Sequence, residues 1–253
     1  MSDTLTAFEQ HLTAASQQDD QTSLAESWLL GLDTETTGVT PGKDAIVSAC
    51  LILRNPALGF EGDMVAEWII NPHRSISSGA SKVNGFTNEY LSEHGDEPMQ
   101  AIGQIGRLIA QAQAKRIPLL AYNAPFDIQM LNGDITRWCE GELQPFETDS
   151  MLVVDPLVID RAVSKRRGRR SLSYTCEYYG VVPRGNFHNA AADTIAAVDL
   201  VKPMTTLYPQ VAHLTLGELM DWQRKAHADW CESYQRWAQA RGNRRRMMNA
   251  SWL

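Results

Sequence analysis

One stretch constrains this chain more than any other: WLLGLDTETT, from Trp28 to Thr37. An apolar run stops abruptly at Asp33-Thr34-Glu35. Residues two apart on a β-strand share a face, so both carboxylates point the same way. Acidic residues are depleted in strands, and an unpaired buried charge is costly. Two readings stand. Either the strand simply ends in an acidic turn, or a cation neutralises the pair, for which a divalent metal is the economical choice.

The remaining carboxylates bear on that choice, and so does the placement of charge. Net charge is −7, which argues against a general nucleic-acid coat. Residues 1–150 hold 8 Lys/Arg against 21 Asp/Glu, and residues 151–253 hold 15 against 9. An acidic part that carries candidate metal ligands beside a basic part suits a phosphate-bearing substrate. The four cysteines, Cys50, Cys139, Cys176 and Cys231, form no CxxC pair. Reduced thiols in a cytoplasmic protein are therefore expected, rather than a zinc site or disulfides. No apolar run reaches the roughly 18 residues of a membrane span, and the N-terminus lacks the pattern of a secretory signal.

Along the chain, residues 1–26 are polar, with Leu5, Phe8 and Leu12 as one possible helical stripe, and read as a loosely docked arm. Strands are expected at 27–33, 46–53 and 64–70, joined by turns at Gly38–Gly42, Asn55-Pro56 and Glu61–Asp63. A short helix is expected over 88–93. A longer one over 98–114 has apolar residues at 99, 102, 105, 108 and 109. A fourth strand, 118–122, precedes a helix that opens at Asn123 and runs to Trp138. A fifth strand is expected within 146–154. Residues 155–170 turn basic, ending Lys165-Arg166-Arg167-Gly168-Arg169-Arg170. Helices follow at 172–179, at 189–207 and, from a Thr215…Glu218 capping spacing, to about Ala240. Strands followed by alternating strands and helices imply an α/β mixed sheet. The expected division is an arm at 1–26, a domain at 27–208 and a helical C-terminal extension with a basic tail at 209–253.

Four acidic positions then fall in order: Asp33 and Glu35 at a strand end, Asp127 on a helix after a strand, and Asp193 on a late helix, with His188 five residues before it. Singly, Asp127 reads equally as a charge at a helix start, Asp193 as a solvated helix position and His188 as a capping residue. Together, GLDTETTG, AYNAPFD and HNAAAD resemble the three motifs of the DEDDh 3′→5′ exonucleases. That superfamily includes the proofreading subunit of bacterial DNA polymerase III, RNase T and oligoribonuclease. The resemblance covers about residues 27–208.

The resemblance implies an RNase H-like five-stranded sheet of order 3-2-1-4-5 with strand 2 antiparallel, flanked by helices. It also implies two divalent metal ions, Mg²⁺ or Mn²⁺. Asp33, Glu35 and Asp193 would hold the metal that binds the attacking water, Asp33 and Asp127 the second, and His188 would be the general base. The His-x4-Asp spacing selects the histidine subclass. Hard oxygen ligands suit these ions, and a histidine titrating near pH 6.5 suits proton transfer.

Softer assignments surround this set. Thr34, Thr36, Asn123 and Phe126 are candidates to touch the terminal nucleotide, and Val83 and Phe86 to wall its base. Arg169 and Arg170, in the basic run, are candidates for the substrate backbone. Core packing or turn formation competes for the first six, and a solvated, flexible loop for the basic run. Asn84 departs from the histidine common at this place in the family, and Asp149 is either a distant support of the metal site or a strand-end cap. Single-stranded DNA 3′ ends are the expected partner, ahead of RNA. A helix carrying Trp222, Trp230 and Trp237 either packs on the protein's own core or docks a DNA polymerase or a second copy.

Overall fold

The computed structural model describes residues 3–185, 188–242 and 249–253. The apolar runs pair into one five-stranded sheet of order β3-β2-β1-β4-β5. Its strands are β1 (Leu29–Thr36), β2 (Ile46–Arg54), β3 (Met64–Ile69), β4 (Leu119–Leu120) and β5 (Val153–Val154). β2 is antiparallel to β1 and β3, while β1, β4 and β5 run parallel. This is the order, and the single reversed strand, expected from the RNase H-like fold.

Parallel neighbours need crossovers. Between β3 and β4 these are α2 (Ser78–Asn84), α3 (Asn88–His94) and α4 (Pro98–Ala114); between β4 and β5 it is α5 (Pro125–Trp138). After β5 come α6 (Pro156–Val163), α7 (Leu172–Tyr179), α8 (Ala190–Asp199), α9 (Val201–Leu207), α10 (Pro209–Ala212) and α11 (Leu219–Ala240).

Strand alternation divides β1 between two cores. Leu30 and Leu32 join the cluster built by α4 and α5, with Ile102, Ile105 and Ile128. Leu29 joins the opposite cluster, with Ala196 and Val198 of α8. Gly31 shares that second face, and a Cβ there would lie 2.6 Å from Val198 Cγ2 and 2.8 Å from Thr194 Cγ2. Glycine is thus what lets α8 lie directly on β1. Asp33 and Glu35 continue the same face, toward α8, whose first turn carries Asp193.

Several expectations are corrected. Residues 3–14 form a docked helix, α1 (Asp3–Ala14), not a loose arm: Leu5, Phe8 and Leu12 are buried in the α4/α5 core. The helix expected over 189–207 breaks at Leu200. Pro203 has no N–H to give the Asp199 carbonyl, and its ring crowds that turn. The strand expected within 146–154 shrinks to two residues after a 3₁₀ turn at Thr148–Ser150. A side chain finishes this edge: Gln223 of α11 accepts from Asp155 N and donates to Val153 O at 2.8 and 2.7 Å. α6 went unread in the sequence, although Asp155-Pro156 places a capping carboxylate before a proline at the first helical position. Among the described residues no helix is long and apolar enough to cross a membrane.

Candidate active site

The carboxyl end of β1 collects the acidic residues. Asp33 and Glu35 project from the α8 face, and α8, which Gly31 allows to lie close to β1, carries Asp193 in its first turn. Burial, then the charges of Asp127, Asp193 and Glu35, push the Asp33 carboxyl well above its ordinary range. Burial and then Asp193 push Glu35 up to about 7, opposed by a hydrogen bond from Asn84. Asp193 is likewise raised by burial, against the influence of His188. Such mutual repulsion in a desolvated place marks a site that a cation would relieve.

Asp127 reaches the cluster from the first turn of α5. Its Oδ1 accepts from Thr34 N at 3.1 Å and from Thr34 Oγ1 at 2.7 Å. Burial still outweighs those donors and pushes its pKa up to about 7. The start of α5 is itself held by Asp155, which is buried and accepts from the amides of Asn123 and Ala124. Asp155 also accepts from Leu157 N and from the indole of Trp252. Asn123 sits at φ 69°, a left-handed conformation that asparagine tolerates.

His188 adopts φ 69° as well, and its amide donates to Asp193 Oδ2 at 3.0 Å. A ring nitrogen of His188 and a carboxylate oxygen each of Glu35 and Asp193 lie within 4.8 Å of one another. Asp193 Oδ1 is buried with no hydrogen-bond partner. Leaving such an acceptor unsatisfied is expensive. An orphaned carboxylate oxygen among three further carboxylates is a donor set that fits a hard divalent ion.

Comparison with known proteins accords with this geometry. The family model described as exonuclease, RNase T, matches residues 30–201. The chain belongs to this exonuclease family. It is 28% identical to the DNA polymerase III subunit epsilon of Rickettsia typhi, over 69% of this chain and 72% of that one. It is 27% identical to a DNA polymerase III subunit epsilon-like protein of Rhodobacter capsulatus, over 71% of this chain and only 24% of the relative's length. Among solved structures, E. coli exonuclease I in complex with a dT13 oligonucleotide superposes with a TM-score of 0.60 at 20% identity. The match covers 73% of this chain and 42% of that one. Exonuclease I of Methylocaldum szegediense gives a TM-score of 0.61 at 16% identity, over 80% and 45% of the two chains. These likenesses are of fold.

The structure sorts the softer assignments within this exonuclease. Thr34 and Thr36 are buried and spend their hydroxyls internally, on Asp127 and on Gly38 O. Phe126 packs against the α4/α5 core. Val83 is exposed and lines a recess of about 300 Å³ with Glu35, Thr36, Val39 and Asn84. Phe86 lies on the other side of Asn84, in a cleft shared with Tyr90 and Asn189. Asn84 donates to Thr36 O at 3.2 Å, fastening α2 to the end of β1. Asp149 is exposed, 3.7 Å from Arg224, and takes no part in the cluster.

The basic run divides. Arg166 and Arg170 turn inward onto Asp160, which is fully buried within α6. Arg170 also donates to Ser164 Oγ and to Arg166 O, both at 2.9 Å, so its guanidinium is an internal clamp rather than a surface contact. Lys165, Arg167 and Arg169 face solvent. Alternation within the run carried no signal of this, because the buried partner lies several residues upstream. Asp155 and Asp160 were missed for a related reason: most of their donors lie outside α6, at Asn123, Ala124 and Trp252 for Asp155 and at Arg166, Arg170 and Tyr179 for Asp160.

Proposed function

We propose that this chain is a metal-dependent 3′→5′ exonuclease that hydrolyses single-stranded DNA from the 3′ end and releases nucleoside 5′-monophosphates. The observation that carries the reading is the convergence of Asp33, Glu35, Asp127 and Asp193 at one strand end, with Asp193 Oδ1 left without a donor. Two divalent ions, Mg²⁺ or Mn²⁺, would supply an activated water and Lewis acidity at the scissile phosphate. Asp33, Glu35 and Asp193 would hold one, and Asp33 and Asp127 the other. Thr34 keeps Asp127 aimed through its amide and hydroxyl. A ring nitrogen of His188 accepts the proton of the attacking water, and the exposure of that ring lets it hand the proton to solvent. The recess beside Val83 receives the terminal base, and the exposed Arg169 meets the backbone behind it. The four buried free thiols fit a reducing, cytoplasmic setting.

A second reading, association with a DNA polymerase for proofreading, is favoured by the relatives named as DNA polymerase III subunit epsilon. RNA is the alternative strand, since the same carboxylate chemistry would serve it.

The test uses 5′-labelled single-stranded DNA and RNA of one sequence, with Mg²⁺, Mn²⁺ or EDTA, beside the Asp33→Ala variant. A 3′-shortening ladder that needs both metal and Asp33 supports the reading, and the faster strand names the substrate. A folded, metal-binding protein that shortens neither strand would overturn it.

A further inference from the structure

α11 carries more aromatic surface than its packing needs. Its inward positions are Leu219, Gln223, Cys231 and Ala238. Along another line of the same helix, Trp230, Tyr234 and Trp237 form a ladder with ring centroids 5.6 Å apart at each step. An arginine caps each end: Arg161 Cζ lies 3.6 Å from the Trp230 ring and Arg241 Cζ lies 4.5 Å from the Trp237 ring. Trp237 is 50% exposed. Among the described residues neither Arg161 nor Arg241 makes an ion pair. Arg161 Nε is buried without a hydrogen-bond partner.

Direction places this ladder at the reactive end of the sheet. Val153 N donates to Met220 Sδ and Asp155 N donates to Gln223 Oε1, so α11 advances with β5. β5 is parallel to β4, and β4 to β1, whose carboxyl end holds Asp33 and Glu35. From Gln223 to Trp237 the helix advances about 21 Å beyond that edge. The basic loop lies alongside, because Arg161 is near the end of α6 and the exposed Lys165, Arg167 and Arg169 follow it.

We infer that the outer half of α11 is a single-strand track, on which a base behind the reacting 3′ end stacks on the Trp237 end of the Trp230–Tyr234–Trp237 ladder and phosphates meet Arg241 and the loop cations. The inference takes its ligand from the nuclease reading above. Charge and stacking together favour a nucleic acid: Arg241 and the loop cations suit a polyanion, and the half-exposed Trp237 ring suits a base. The only acids on α11 past Gln223 are Asp229 and Glu232, and both are already paired, with Lys225 and Arg236. An exposed cation–π pair is worth roughly 2- to 5-fold, whereas a stacked base is worth roughly 5- to 150-fold in affinity. A base therefore displaces Arg241 from the Trp237 face, and the freed guanidinium takes the phosphate.

The experiment measures anisotropy of 5′-labelled oligothymidylates, one of about 20 nucleotides and one of about 4, binding to the full chain in EDTA. Trp237→Ala, in which a half-exposed ring is removed and the fold is checked by its melting curve, should weaken the long strand roughly 5- to 100-fold and leave the short one unchanged. Trp237→Phe should retain most of the affinity. Equal effects on both lengths, or none on the long strand, overturn the track, as does a long strand bound no tighter than the short one by the wild type. A shift in the wild type's sedimentation that Trp237→Ala abolishes, with no change in strand binding, assigns the ladder to self-association instead. Cleavage of the short strand in Mg²⁺ reports on the nuclease reading separately. Loss of cleavage with a length-dependent Trp237 effect leaves the track standing and removes only the nuclease.

Discussion

Gly31→Ala isolates the contact that brings the two halves of the acidic cluster together. Gly31 has no left-handed backbone to defend, so alanine is allowed conformationally. In a strand it even recovers about 0.5–1 kcal/mol of backbone entropy. Against this, the new Cβ would fall 0.8 Å short of an ordinary 3.4 Å contact with Val198 Cγ2 and 0.6 Å short with Thr194 Cγ2. Both partners are β-branched and buried, so neither can swing aside without moving α8. Overpacking of this kind costs about 1–3 kcal/mol. The steric cost wins, leaving a net loss of about 1–2 kcal/mol, or roughly 2–8 °C in melting temperature for a chain of this size. The larger effect is on turnover, since Asp193 is the neighbour of Thr194 and moves with it. A displacement near 1 Å can cost about 100-fold in rate. Calorimetry and the 3′-shortening assay should show both losses, and Gly31→Ala combined with Val198→Ala should recover part of each. A Gly31→Ala protein that melts and cleaves as the wild type does would refute the argument that this glycine sets the distance between β1 and α8.

Three further outcomes are expected. Because burial raises Asp127 from its ordinary 3.8 to about 7, the stability it contributes is complete below about pH 4 and is lost as pH rises through about 7. In EDTA, Asp127→Asn should therefore melt higher than the wild type at pH 7.5, by up to about 4 kcal/mol in stability, and the gap should close toward pH 4. Added Mg²⁺ should raise the wild type more than the variant, which keeps Asp33, Glu35 and Asp193 for one of the two ions, and a gap that does not narrow on acidification would contradict the assignment. His188→Ala should slow cleavage about 10²–10⁴-fold while calorimetric titration still shows metal binding; a near-normal rate across pH would remove His188 as the base. Arg170→Ala should lower the melting temperature by leaving Asp160 buried and short of donors, whereas Arg167→Ala with Arg169→Ala should leave stability alone and flatten the salt dependence of strand binding. Equal salt slopes for the two surface substitutions and the wild type would make that loop a bystander.

What the sequence determined by itself was local or periodic. The apolar runs of β1 and β2 were legible because a strand covered on both faces is apolar at nearly every position, and the stripe of α4 because its burial follows a period of 3.6 residues. Asp33 and Glu35 stood out because carboxylates at the end of an apolar strand need a reason, and the ordered motifs with Asp127, His188 and Asp193 supplied the family and its sheet order. Tertiary structure alone decided what depends on residues far apart in the chain. It converted the N-terminal arm into a packed helix, because the apolar surface that receives Leu5, Phe8 and Leu12 belongs to the α4/α5 core. It withdrew Thr34 and Arg170 from the surface, since their partners are Asp127 and Asp160. It gave Asp155 four donors drawn from the start of α5, α6 and the C-terminal segment, and it completed the β5 edge with Gln223 rather than another strand. A side chain's periodicity reveals which way it faces; only the fold brings the atom it meets.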